Sequence, residues 1–462
     1  MASLSQIPKD VLLLLLTYLQ CFADRVSLAG VCRDLRAAVG RLAVPTQLPW
    51  LLLPSPKAQA SFFASFLSGC RRQISLPHDV RRADHFCGSH DGGWVAIAAG
   101  HQGPYALVNL LSPYGLVVPL PRSLEVPFLP VPRLWVRMIT LSDKPTARNC
   151  IAAAHLYFTG GGAPQIAFCR PQVDRRWVRP VFGNGLVGLF DDAIYYRGEV
   201  YQGFYAINNQ ENLHVFMRLD INGGATLVMR QVAFPVEGGA PCHVRDTYGS
   251  AASVNRYLVE SRGKLLMVVR HSGAGGSQST GMAQRVLHFE VFEMVVTLSP
   301  DNAADTSHSA SWVELEDLDG RVIFVGRGCS RAFEAGRLKG FQGGSIYFLD
   351  DAAAPTLHSM YISDVGTYSR GKGVLLRPGL PSPTLCATDQ AASSYNMYGP
   401  RDLVICTGNA SHATAAGGST TLKIVPETDN AASNSEEDVV ATVWPFSRGS
   451  TGNFFGPVWL LP

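Results

Sequence analysis

The feature that most constrains this chain is a short unit that recurs from about His85 onward: an apolar run, a glycine-bearing turn, and a second apolar run. Phe86 to Ile97 reads as strand, turn and strand, with Gly92-Gly93 between the runs. Ala193-Ile194-Tyr195-Tyr196, Arg197-Gly198 and Glu199-Val200-Tyr201 repeat the pattern, as do Arg256–Glu260, Ser261-Arg262-Gly263 and Lys264–Val269. Glycine supplies the positive φ that tight hairpin turns need. Gln165–Pro171 with Trp177-Val178, and Trp312–Leu315 with Val322–Gly326, are related units, and Ser345–Leu349 ends at Asp350-Asp351. The 45 Gly and 29 Pro favour many short strands over long helices. Loose repeats of about 40 to 60 residues point to a β-propeller, with about seven blades for this length if the loops are long. A large array of β-sandwiches is the structural alternative.

The first 45 residues behave differently. Pro8 suits the first turn of a helix, and Asp10 favours its positive end. Val11 to Leu16 are apolar without a break, so the helix needs cover on all sides. Leu28, Val31, Leu35 and Val39 fall at helical spacing and cover only part of it. The rest of the cover comes from elsewhere in the chain, from a membrane or from another protein. The apolar run is too short to span a bilayer, which takes about 20 residues, and it lacks a signal-peptide pattern. Pro45–Pro56 reads as a packed connector, and Ser61–Leu67, with Phe62, Phe63 and Phe66, as one last short helix. The domains expected are therefore a helical module at 1–45, a connector at 46–70 and a β body at 71–462.

Ile7-Pro8, Val11-Leu12, Leu15, Leu19, Asp24-Arg25, Val31-Cys32-Arg33 and Arg36-Ala37-Ala38 together resemble an F-box. The resemblance implies docking on a Skp-type adaptor and, through it, on a cullin ubiquitin ligase. It places Ile7, Pro8, Val11, Leu12 and Leu15 on or near the adaptor contact, and Leu19, Leu28 and Val31 mainly in the module's own packing. Leu35 stands where the family usually has Trp, which leaves less aromatic burial. The order of later motifs resembles plant F-box proteins with a KIB-type β-propeller: Leu48-Pro49-Trp50-Leu51-Leu52-Leu53-Pro54, Cys87–Trp94, Asn109–Pro113, Ile166–Pro171, Asp192–Gly198, Tyr257–Ser261, Ile346–Asp351 and Pro457–Pro462. Fold and function expected from this resemblance are an F-box module followed by a propeller, acting as a non-catalytic substrate receptor of a ubiquitin ligase. The location implied is cytoplasmic or nuclear.

Chemistry-bearing motifs are sparse. Gly183–Gly188 matches a dinucleotide fingerprint in letters, but Leu189 to Tyr195 reads as a turn into a strand rather than the helix a phosphate site needs. Asp84-His85, Cys87 and His90-Asp91 hold ligand-type side chains at no common zinc spacing, so no metal is expected. Asp191-Asp192 and Asp350-Asp351 sit at strand ends, where turn chemistry is the ordinary explanation. They are also the candidate acids of the alternative function, a propeller hydrolase acting on a glycan or small ester. A propeller scaffold with a decayed F-box is a third option. No cofactor is expected. Net charge is +3, and Arg71-Arg72 and Arg81-Arg82 lie far from aromatic platforms, which argues against nucleic acid. Ten scattered cysteines without a Cys-x-x-Cys pair suit reduced thiols. Polar stretches at 271–281, 299–311, 409–421 and 426–438 read as loops.

Overall fold

The computed structural model describes residues 7–19, 28, 31–33, 35–37, 49–53, 61–65, 71–75, 83–99, 104–111, 116–124, 134–158, 165–181, 190–219, 226–234, 236–237, 253–274, 284–298, 308–337, 343–349, 364–369, 422–424, 439–445 and 458–460. Helix α1 (Lys9–Tyr18) follows Pro8 and carries Asp10 in its first turn. Leu12 N–H donates to Pro8 O and Leu19 N–H to Leu15 O, so the helix is bounded as its ends suggest.

Strands β1 (Trp50–Leu53), β2 (Ser61–Ser65) and β3 (Arg71–Ser75) form one antiparallel sheet. The stretch expected to end in a short helix is therefore strand β2, paired with β1 and β3. Its phenylalanine spacing fits either element, and the pairing partners on both sides decide for strand.

The propeller blades follow in chain order. The first holds β4 (Ala83–His90), β5 (Trp94–Ala99), β6 (Tyr105–Asn109) and β7 (Val117–Pro119), and the second β8 (Leu134–Leu141), β9 (Ala152–Phe158) and β10 (Gln165–Cys169). The third holds β11 (Phe190–Arg197), β12 (Gln202–Asn208), β13 (Leu213–Leu219) and β14 (Val228–Phe234). In the fourth, β15 (Val236–Glu237) joins outside β16 (Ser253–Ser261), β17 (Lys264–Ala274), β18 (Gln284–Leu298) and β19 (His308–Glu314). The fifth is ordered β21-β20-β22-β23-β25-β24, from β20 (Arg321–Val325), β21 (Arg331–Glu334), β22 (Ser345–Leu349), β23 (Asp364–Ser369), β24 (Leu422–Ile424) and β25 (Val439–Pro445). Last, β26 (Val458–Leu460) returns to pair with β1, so residues 458–460 and 50–52 share one sheet.

The chain is thus mainly β with few helices. Among the described residues it forms a five-bladed propeller, which corrects the expected count of about seven. Chain length goes into extra outer strands, β15, β24 and β25, and into the stretches between strands, rather than into further blades.

Alternation along the strands shows how the blades stack. In β17, Leu265, Met267 and Val269 pack toward the third blade with Tyr205 and Val215, while Leu266 and Val268 pack toward the fifth with Ile323 and Ile346. In β10, Ala167 and Cys169 face the first blade and Ile166 and Phe168 the third. Side chains on a strand alternate between faces, so a blade buried on both faces requires continuous apolar runs. Each fully buried Leu or Val contributes roughly 1.5–3 kcal/mol relative to exposure. The turn read at Arg262-Gly263 is present, with φ of 54° and 73°, the doubly positive geometry of a tight hairpin. His271–Ala274 and His308–Ser311, expected in loops, are strand because β18 pairs with both.

Candidate functional site

Two surfaces carry the functional expectations, and the first is α1. Its apolar run divides into an inner and an outer set. Leu12 and Leu16 are 2% and 0% exposed and form a small core with Leu35; Ile7, Leu28 and Cys32 pack against it. Val11, Leu13, Leu14, Leu15 and Tyr18 are exposed, Leu14 at 56% and Tyr18 at 67%. Of the residues assigned to the adaptor contact, Val11, Leu15 and Pro8 therefore face outward, and Ile7 is half-buried. Leu12 is not available in this conformation, because with Leu16 it fastens α1 to Leu35. Leu28 packs the module as expected and Leu19 is half-buried, but Val31 is exposed. Leu13, Leu14 and Tyr18 belong to the outer set and were not singled out in the sequence.

The second surface is the propeller axis. The ends of the inner strands β4, β8, β11, β16 and β21 line a cavity of about 600 Å³, within the range of ordinary ligand pockets. Its wall includes His90, Asp91, Lys144, Tyr195, Arg262, Arg331, Phe333 and Glu334. Below its mouth the β20–β21 loop is tied to several blades at once. Ser89 N–H donates to Gly328 O at 3.2 Å, and Gly328 N–H donates to Asp192 Oδ1 at 3.3 Å. Arg327 donates through Nε to Asp191 O and through Nη2 to Asn255 Oδ1, at 3.1 and 2.9 Å.

Glycine is required where these backbones meet. Gly328 has φ +64°, and a Cβ there would lie 2.8 Å from Ile139 O; a Cβ on Gly88 would lie 2.7 Å from the same oxygen. Real Cβ atoms do not approach that closely.

The candidate acids Asp191 and Asp192 lie in this belt, not in solvent-facing turns. Asp192 is buried and accepts from Leu258 N–H at 2.9 Å as well as from Gly328. Asp191 pairs with Arg256 at 3.2 Å, and Arg256 also binds the buried Glu211 at 2.8 Å. Both carboxylates are engaged in joining blades and the loop. Asp350 and Asp351 lie outside the described residues, as do Gly183–Gly188; the segment after that motif is strand β11, as the sequence suggests.

The cavity's electrostatics are mixed. Arg331 Nε meets Asp91 at 3.2 Å, and Arg262 forms a two-pronged contact with Glu334 at 2.8 and 2.7 Å and also reaches Asp319. Those bonds raise the Arg262 pKa and lower that of Asp319. His90 is 8% exposed, and its Nε2 has no hydrogen-bond partner among the described residues. Burial pushes its pKa down to about 3, helped by Arg331 and opposed by Asp91. His90 is thus neutral at physiological pH. Among the described residues no three His, Cys, Asp or Glu side chains gather as a metal site. The Cys87 thiol is buried and its pKa raised by desolvation, the opposite of what a nucleophile needs. No described helix is long and apolar enough to cross a membrane. The arrangement supplies donors, acceptors and two aromatic walls, which are the means of binding.

A family model described as KIB1-4 beta-propeller matches residues 63–369. The chain belongs to the KIB1-4 beta-propeller family. The match covers every cavity-lining residue, while α1 lies ahead of it. Comparison with curated proteins finds no match. Within the KIB1-4 propeller, sequence reasoning marked His90-Asp91 and the Arg262-Gly263 turn only as motif and punctuation. Their convergence with Lys144, Tyr195 and Arg331 comes from five separate inner-strand ends.

Proposed function

We propose that the chain is the substrate-recognition subunit of a Skp-cullin-F-box ubiquitin ligase, with the module around α1 as the F-box. The observation that carries this is the outer set of α1. Val11, Leu13, Leu14, Leu15 and Tyr18 form an apolar surface on a short helix that precedes a KIB1-4 propeller. Such a surface suits a helix-in-groove partner, and a Skp-type adaptor is the partner the F-box resemblance implies. The propeller then holds the target protein. Catalysis takes place on other subunits, and this chain acts by raising the local concentration of target lysines near the charged ubiquitin enzyme.

Of the four candidate acids of the glycan or ester hydrolase, Asp191 and Asp192 are held by Arg256 and by backbone N–H groups, and Asp350 and Asp351 lie outside the described residues. Co-expression with an affinity-tagged Skp-type adaptor tests the proposal. The wild-type chain is expected to co-purify with the adaptor, and the Leu14→Asp/Leu15→Asp variant is not. Equal recovery of the two would remove the F-box assignment.

A further inference from the structure

The cavity face continues outward over the second blade as a strongly basic surface. The turn between β8 and β9 carries Lys144 and Arg148, and Lys144 also lines the cavity. The turn after β10 carries Arg175 and Arg176, and Gln172 Nε2 donates to Pro145 O at 3.1 Å, which places the two turns side by side. A third segment joins them: Trp177 N–H donates to Ser123 O at 2.9 Å, bringing Arg122 next to Arg176. Lys144, Arg148, Arg122, Arg175 and Arg176 are all exposed. None has a carboxylate partner among the described residues. Arg179, on the same segment, has a buried Nε with no partner among them either.

Opposing charge is scarce here. Among their described residues these three segments hold two carboxylates, Asp143 and Asp174. Asp174 is consumed by Arg170, bonded at 2.7 Å. Asp143 Oδ1 accepts from Lys144 N–H at 2.6 Å. The whole chain is only +3, while five exposed cations gather on these segments. Surface cations left unpaired in a group steer an oppositely charged partner and fix its register.

We propose that this surface binds an acidic peptide segment of the target, running from the axial cavity across the second blade. The proposal rests on the propeller being the target-binding part. The cations come from three segments and spread over the blade, which suits several carboxylates along an extended peptide rather than one phosphate in one pocket. Nucleic acid is disfavoured by the small net charge and by the absence of exposed stacking aromatics among these segments.

The test is fluorescence anisotropy on the full chain with a labelled peptide of alternating Glu and Ser. Its Gln/Ser counterpart, an oligonucleotide and anionic vesicles serve as competing probes. Tight binding of the Glu peptide that weakens as salt rises is expected. The Lys144→Gln/Arg148→Gln/Arg175→Gln/Arg176→Gln variant is expected to lose at least tenfold in affinity. The Arg33→Gln/Arg36→Gln variant, which removes cations of the helical module instead, is expected to match the wild type. Equal affinity for the Glu and Gln peptides, equal loss in both variants, or preference for the oligonucleotide or vesicles would overturn the proposal. Peptide binding needs no adaptor. Peptide bound without adaptor capture would sink the ligase assignment alone, and adaptor captured without peptide binding would sink this surface alone.

Discussion

At the scale of single residues, Gly328 is the most exacting position. Gly328→Ala forces a Cβ to within 2.8 Å of Ile139 O at a φ of +64°, whereas Gly263→Ala meets nothing within 4 Å at a φ of +73°. Both substitutions incur left-handed strain of about 1–2 kcal/mol. Only the first also pushes the β20–β21 loop off β8. Urea unfolding is therefore expected to show Gly328→Ala as the more destabilised by at least 1 kcal/mol, on the order of one strained contact. Equal losses would mean that the loop does not hold the axis closed. His90 gives a pH signature. Its folded pKa, about 3, lies below the ordinary 6.5, so unfolding takes up a proton between those values. That contribution to stability is complete above pH 6.5 and drains away as the pH falls toward 3, by about 1.4 kcal/mol per pH unit in that window. His155 and His214 are shifted the same way. The His90→Gln variant is expected to lose less stability than wild type on acidification from pH 7 to pH 5. Identical pH profiles would place His90 in a solvated setting instead.

At the scale of elements, β26 is the short strand with the longest reach, since it ties residue 460 to residue 50. Leu460 is fully buried in that strand pair. Leu460→Asp places an unpaired charge there, and a drop in melting temperature of several degrees is expected, in line with a loss of a few kcal/mol. An unchanged melting temperature would show the closure to be dispensable. The strands themselves were largely legible, because blades buried on both faces leave unbroken apolar runs such as Leu265–Val269, and glycine marks the turns. Strand β2 was not, because Phe62 and Phe63 fit a helix locally and only β1 and β3 make them a strand. Blade number was not legible either. Whether β15, β24 and β25 start new sheets or widen old ones depends on pairings between segments distant in sequence. In α1 the difficulty is different. A run of five leucines has no polar residue to mark its outer face, so Leu12 and Leu15 look alike in the sequence. Leu35 separates them by packing on one of them. Leu12→Ala is accordingly expected to loosen the module, at about 2–5 kcal/mol for a buried leucine, and to speed its proteolysis, while Leu14→Ala leaves proteolysis unchanged. The reverse order would mean that the inner and outer sets are misassigned.

At the scale of the whole molecule, the proposed receptor role assigns one binding surface to α1 and one to the propeller. One surface is the exposed apolar side of α1, and the other is the axial cavity with its basic margin on the KIB1-4 propeller. The cavity could not be assembled from the sequence, because His90, Lys144, Tyr195, Arg262 and Arg331 are spread over five inner-strand ends that only the ring brings together. The proposed role depends on α1 more than on any other element, since a receptor without an adaptor delivers nothing. Titration calorimetry of a purified Skp-type adaptor into the full chain measures that dependence. Saturation at one adaptor per chain is expected for the wild type, with no heat of binding for Leu14→Asp/Leu15→Asp although its propeller melts at the wild-type temperature. Saturation of that variant with wild-type affinity, or no binding by either chain, would contradict a ligase role carried by α1.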